Sequence, residues 1–239
     1  MTAEPSTPRA AELSANLDRV RARIRDAERA AGRPEGDVRL IVVTKFFPAS
    51  DVRILADLGV ADVGENRHQE AAAKAAECAD LDLTWHFIGG LQSNKAAAVA
   101  AYAGVVESVD RAKLINPLDR GAGEAGRVVD VLLQVSLDPP DRAGERSGAS
   151  EADLEQLAER SEAAHHLNLR GLMAVAPLGE DPGDAFERLA GIRQQFLQNH
   201  PDATVLSAGM SGDLEQAIAA GATHVRVGSA VLGSRPAVL

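Results

Sequence analysis

Apolar and polar positions along this chain fall into blocks with two different periods. Leu13, Leu17, Val20 and Ile24 recur at helical spacing across about 9–31, a segment that ends near Gly32. After it come short continuous apolar runs, each followed by an amphipathic or Ala-rich stretch. The run 40–44 predicts a strand buried on both faces, and 50–58 predicts a helix opened by Ser50-Asp51 and closed by Gly59. Strand 60–63 precedes a helix over 66–78, strand 84–88 a helix over 93–102, and strand 105–109 a helix opened by Asp110. Strand 128–135 pairs with helix 150–164, 169–175 with 183–199, and 204–206 with 213–220, before a last strand over 223–227.

Eight β-runs alternating with helices predict the α/β class, as a single (β/α)8 TIM barrel with an extra N-terminal helix. Residues 1–38 are then a tail and a helix packing on the barrel, and 39–239 the barrel itself. A doubly wound open sheet is the alternative. The polar Pro/Gly/Ser stretch 138–150 reads as a long loop on the functional face.

Composition narrows the partners. A net charge of -10 over 239 residues disfavours nucleic acid and anionic membrane surfaces, though a local pocket can still take a small anion. With 3% aromatic residues there is little for single-stranded bases to stack on. The N-terminus shows no apolar core of a secretory signal, and no run approaches the roughly 18 apolar residues of a membrane span. One cysteine, Cys78, allows no internal disulfide and suits the cytoplasm, and with six dispersed histidines no spacing supports a metal site. GxSxG, GxxxxGK[ST] and helix-opening GxGxxG motifs are all missing.

Barrel chemistry sits at strand C-termini. Lys45 stands there after the first strand, where burial would favour the neutral, nucleophilic amine that forms Schiff bases; a lysine snorkelling to solvent is the plainer reading. GMSGD (209–213) and VGSAVLG (227–233) follow strands seven and eight, the frequent place for a phosphate site, with small residues that leave amides free. Ser211 or Gly212 could instead cap a helix, and Gly228-Ser229 could be a tight turn. Arg226, between Val225 and Val227, points either inward to an acceptor or outward to a salt bridge. Asn66 is either a ligand contact or a helix cap, His86 a satisfied core histidine, and Arg19, Arg21, Arg23 and Arg25 a solvated helix face.

The stretches VVTKFFP (42–48), GENRHQE (64–70), WHFIGGLQSNK (85–95), RGLMAV (170–175), LSAGMSGDLEQAIAAG (206–221) and VRVGSAVLG (225–233) together resemble the pyridoxal 5′-phosphate homeostasis protein family, whose barrel is like the N-terminal domain of alanine racemase. The resemblance covers nearly everything from about residue 40 and keeps the motif order. It implies that Lys45 holds pyridoxal 5′-phosphate (PLP) as a Schiff base, with Asn66 beside the cofactor. Met210, Ser211, Gly228 and Ser229 are then the phosphate-binding segments, and Arg226 faces the pyridine nitrogen. The chain departs from the family pattern at Phe46-Phe47, Arg67-His68 and Gly90.

A permanently cationic Arg226 there would keep the pyridine nitrogen unprotonated and weaken the electron sink. Alanine racemase also uses a tyrosine from a separate domain of a partner subunit, whereas the only tyrosine here, Tyr102, lies in a predicted helix and the barrel accounts for the residues given. The expectation is a monomeric cytoplasmic carrier of PLP with no catalytic residues and no metal, passing cofactor to PLP-dependent apoenzymes. An aldolase-like Schiff-base enzyme, with Glu65 moving protons, and an interaction scaffold without cofactor are the alternatives.

Overall fold

The apolar runs pair side by side as parallel strands that come full circle. In the computed structural model, which describes residues 7–139 and 147–234, the strands are β1 (Arg39–Val43), β2 (Asp62–Glu65), β3 (Thr84–Phe87), β4 (Val105–Val109), β5 (Val129–Val135), β6 (Leu167–Ala174), β7 (Val205–Ser207) and β8 (His224–Val227). Their order is β1 through β8 in a closed barrel. Closure rests on β1 pairing with β8 from Arg39↔His224 to Val42↔Val227, which rules out the open sheet.

The helices are α1 (Pro8–Ala30), α2 (Ala49–Asp57), α3 (His68–Glu77), α4 (Ala96–Ala100), α5 (Ile115–Glu124), α6 (Leu154–Glu162), α7 (Pro182–Asn199), α8 (Leu214–Ala219) and α9 (Ser229–Leu232). Short 3-10 turns lead into α4, α5 and α6 where the periodicity predicts unbroken helices. The sequence pattern gave no helix over α9. Nor do Ser50 and Asp51 cap α2: Pro48 occupies the cap, and Asp51 is buried against Arg9 at 2.6 Å. Residues 140–146 of the expected functional-face loop lie outside the described residues, but Ser136 N–H donates to Ala149 C=O at 2.9 Å and closes its base.

Alternation along the strands sorts side chains between two layers. Val42, Val63, Val225 and Val227 pack with Leu13, Leu17 and Val20 of α1 and with Leu214, Ile218 and Val231. Arg226 lies between two of those valines and so projects the other way, into the barrel interior. The arginine face of α1 is more than solvated: Arg23 holds Glu215 of α8 through two bonds, 2.8 and 2.9 Å, and Arg21 donates to the Leu58 carbonyl at 3.2 Å. Among the described residues no helix is long and apolar enough to cross a membrane, and no cluster of metal-ligating side chains occurs.

Candidate functional site

A cavity of about 360 Å³ opens at the C-terminal ends of β1, β7 and β8, within the range of small-molecule sites. Lys45, Met210, Ser211, Arg226, Gly228 and Ser229 all line it, with Val43, Phe47 and Ile88 as its apolar walls. Asn66, the remaining predicted contact, is not in that lining. It does not cap α3 either, because Arg67 takes that position. Its backbone packs against Gly89, and its buried Oδ1 has no partner. A larger cleft, about 550 Å³, runs between α1 and the opposite strand ends, lined by Arg39, Asp62 and Thr84. That end of a barrel serves stability rather than chemistry.

Lys45 stands two residues past β1, half-buried, with Nζ 6.0 Å from the Phe46 ring centroid. Phe46 has φ +72°, left-handed backbone that costs a bulky residue on the order of 1–3 kcal/mol unless its surroundings impose it. The elbow is therefore built, not relaxed.

The two Gly/Ser turns converge on the same cavity. Gly209 adopts φ +91°, and a Cβ there would come 2.6 Å from the Ala217 Cβ. Met210 N–H donates to Asp213 Oδ1 at 2.5 Å, so Asp213, not Ser211 or Gly212, organises the turn into α8. Arg23 pins the turn from outside through the Ser211 carbonyl at 3.1 Å. A Cβ on Gly228 would meet the Val43 carbonyl at 3.2 Å, so β8 leaves the barrel close against β1. The Ser211, Gly212 and Ser229 amides donate to no acceptor among the described residues. Helices α8 and α9 are too short for a strong dipole; the free amides themselves are what an anion would meet.

Arg226 is 4% exposed and satisfied within the barrel. Nη1 donates to Ser207 Oγ at 2.7 Å and Nη2 to the Ala174 carbonyl at 2.8 Å, and Glu107 Oε2 lies 3.7 Å away. The outward salt bridge is thus excluded. Ser207 Oγ in turn donates to Glu107 Oε2 at 2.6 Å, and Glu107 Oε1 meets His86 Nδ1 at 2.8 Å. His86 Nε2 reaches Asp62 Oδ1 at 3.0 Å, so this is the satisfied core histidine the sequence suggests. Burial pulls the His86 imidazole down, but the hydrogen bonds it donates to the Asp62 and Glu107 carboxylates, with their charge, outweigh it and raise it to about 9. Burial pushes Glu107 up, yet His86 and Arg226 hold it below the ordinary carboxylate range.

Sequence reasoning missed Glu107 and Asp62, which complete this column, and Glu70 and Lys74, which lie beneath Lys45. The i,i+4 spacing of Glu70 and Lys74 on α3 was the available signal for the latter pair. Nothing in the β4 sequence distinguishes Glu107 from a surface glutamate.

Chemically, the cavity offers one amine, one fixed cation and two sets of free amides. That donor set fits a ring-bearing phosphate ester with an aldehyde.

Comparison with known proteins agrees. The family model described as alanine racemase, N-terminal domain, matches residues 15–236. A pyridoxal phosphate homeostasis protein of Mycobacterium leprae is 40% identical, covering 94% of this chain and 93% of that protein. PipY of Synechococcus elongatus, solved with PLP bound, is 37% identical with a TM-score of 0.80, covering 92% of this chain and all of that one. Alanine racemase of Clostridium difficile shares the fold at a TM-score of 0.71 and 13% identity, covering 95% of this chain and 57% of the racemase.

Proposed function

Because this chain belongs to the alanine racemase N-terminal domain family, and within it to the pyridoxal phosphate homeostasis proteins, we propose that it holds PLP as a Schiff base on Lys45 and buffers or delivers it, with little or no turnover. PLP supplies a reactive aldehyde and, in enzymes, an electron sink. Lys45 Nζ would hold the group by condensing with its aldehyde, with water as the leaving product. The Ser211, Gly212 and Ser229 amides hold the phosphate, with Met210 and Gly228 shaping the two turns. Asn66 stands outside the cavity lining, and no contact with the cofactor is assigned to it. The Arg226 guanidinium, held by Ser207 Oγ and the Ala174 carbonyl, would face the ring nitrogen and keep it unprotonated.

One observation carries the non-catalytic reading. Apart from the Lys45 amine and the Arg226 guanidinium, no cavity-lining side chain among the described residues carries an acid or a base. Racemisation and most other carbon-acid chemistry need a second proton-transfer group. Tyr102 does not supply it: the residue is away from the lining, and burial, helped by the charge of Glu65, pushes its phenol well above its ordinary value. Glu65 is likewise outside the cavity, which leaves the aldolase-like alternative without its proton carrier. The chain works as a cytoplasmic monomer, and PLP-dependent apoenzymes are the recipients.

The test is borohydride reduction of the PLP-loaded protein followed by peptide mass mapping. The reduced adduct is expected on Lys45 and absent from Lys45→Ala. Amino-acid racemisation or decarboxylation at ordinary enzyme rates by the loaded protein would sink the carrier reading.

A further inference from the structure

Beneath the Lys45 elbow, outside the cavity lining, lies a second buried cluster of charge. Lys74 of α3 is 5% exposed, and its ammonium meets three acceptors: Glu65 Oε1 at 2.6 Å, Glu70 Oε1 at 2.7 Å and the Thr44 carbonyl at 2.8 Å. An ammonium has three protons to donate, so Lys74 is saturated. Thr44 Oγ1 adds a bond of 2.7 Å to the same Glu65 oxygen. Glu70 Oε1 also accepts the Phe46 N–H at 2.5 Å.

Those contacts fall on two specific peptide units. The Thr44 carbonyl belongs to the peptide before the Lys45 Cα, and the Phe46 N–H to the peptide after it. One ion pair thus grips both planes that flank Lys45 and holds Phe46 in its left-handed conformation. A lysine side chain has four rotatable bonds, so the direction of its Cα–Cβ vector decides which volume its amine samples. The glutamate that grips Phe46 is one helical turn from Lys74 and is itself held by it, so the two act as a unit.

We propose that Glu70 and Lys74 are positioning residues for Lys45: their ion pair clamps the two peptides around it and thereby sets how long the cofactor stays attached. The inference rests on the PLP reading above and deepens it. Retention in a carrier is a matter of dissociation rate, and an elbow that cannot relax keeps the amine aimed at the site.

Glu70 is the better handle, because its side chain is 25% exposed and its removal leaves Lys74 paired with Glu65. Three PLP-loaded proteins are compared: wild type, Glu70→Ala and Glu70→Gln. Release is followed by the loss of bound absorbance into excess hydroxylamine, and chromophore orientation by circular dichroism in the visible range. Glu70→Ala is expected to release cofactor about tenfold faster, the loss of one net charge-assisted hydrogen bond, and to lose visible dichroism per bound cofactor. Glu70→Gln keeps an oxygen to accept the Phe46 N–H and is expected to restore most of both. Lys74→Met, which frees the Thr44 carbonyl and Glu70 together, is expected to release faster than Glu70→Ala.

Wild-type release and dichroism in Glu70→Ala would overturn the clamp, as would a Glu70→Gln variant no better than Glu70→Ala. A wild-type protein that takes up no PLP would overturn the cofactor reading and the clamp's role with it. A coloured wild type with an unaffected Glu70→Ala overturns the clamp alone.

Discussion

His86 Nδ1 lies 2.8 Å from Glu107 Oε1 inside the barrel, a histidine on β3 meeting a carboxylate of β4 that is fully buried. With Asp62 on its other nitrogen, the imidazole rises from 6.5 to about 9. His224 on β8 goes the other way, to about 4, chiefly by burial.

The two histidines predict a stability maximum near pH 6.5. A raised folded-state value stabilises fully below the unfolded value of about 6.5, and that part is lost as pH climbs through 9. A histidine held neutral is fully stabilising above 6.5, and its part is lost as pH falls towards 4. Thermal unfolding of the wild type from pH 4 to 10 should trace this dome, and His86→Gln should flatten its alkaline side. An alkaline limb identical in both proteins would contradict the assignment.

Glu107→Leu should be among the most damaging single changes in the chain. It leaves the His86 imidazolium and the Arg226 guanidinium without their shared carboxylate, and breaking a buried ionic network costs about 3–5 kcal/mol. Glu107→Gln, which still accepts hydrogen bonds, should cost less. Urea unfolding midpoints should rank wild type, Gln, then Leu.

Tyr102→Phe should be close to neutral. Its buried hydroxyl has no partner, so deleting it removes a desolvation penalty and no hydrogen bond, and a change within about 1 kcal/mol is expected. Cofactor release should be unchanged as well. A large effect on either would mean the phenol is working.

Two glycines of one turn should respond in opposite ways to alanine. Gly209 combines φ +91° with a 2.6 Å clash against Ala217, so Gly209→Ala should cost roughly 1–3 kcal/mol. A Cβ on Gly212 meets nothing within 4 Å, and Gly212→Ala should stay within about 0.5 kcal/mol. Calorimetry of both variants reads the difference directly.

The barrel was legible because its strands are β-branched runs with a fixed period, and periodicity survives without knowledge of neighbours. Lys45, Met210, Ser211, Arg226, Gly228 and Ser229 were legible because they stand at strand ends, and strand ends of a barrel share one mouth. The cap of α2 was not: Ser50 and Asp51 are good capping types, but Arg9, 42 residues away, claims Asp51. Glu107 and Lys74 were hidden for the same reason. Their roles depend on partners that only closure of the barrel brings near, and a lone charged residue in a strand or an Ala-rich helix carries no mark of that. Asn66 was read from its neighbours' motif, and its backbone contact with Gly89 is a matter of packing that no spacing reveals.

Arg23 gives the first helix a consequence beyond packing. Its guanidinium joins α1 to Glu215 and to the Ser211 carbonyl, on the turn that faces the cavity. The helix that precedes the barrel in sequence is thus part of the wall behind the cavity-facing turn. A barrel excised from residue 39 onward would keep all its strands and lose the brace on that turn. Shortening, tagging or transplanting this chain therefore touches the cavity from its far end, through a residue that does not line it.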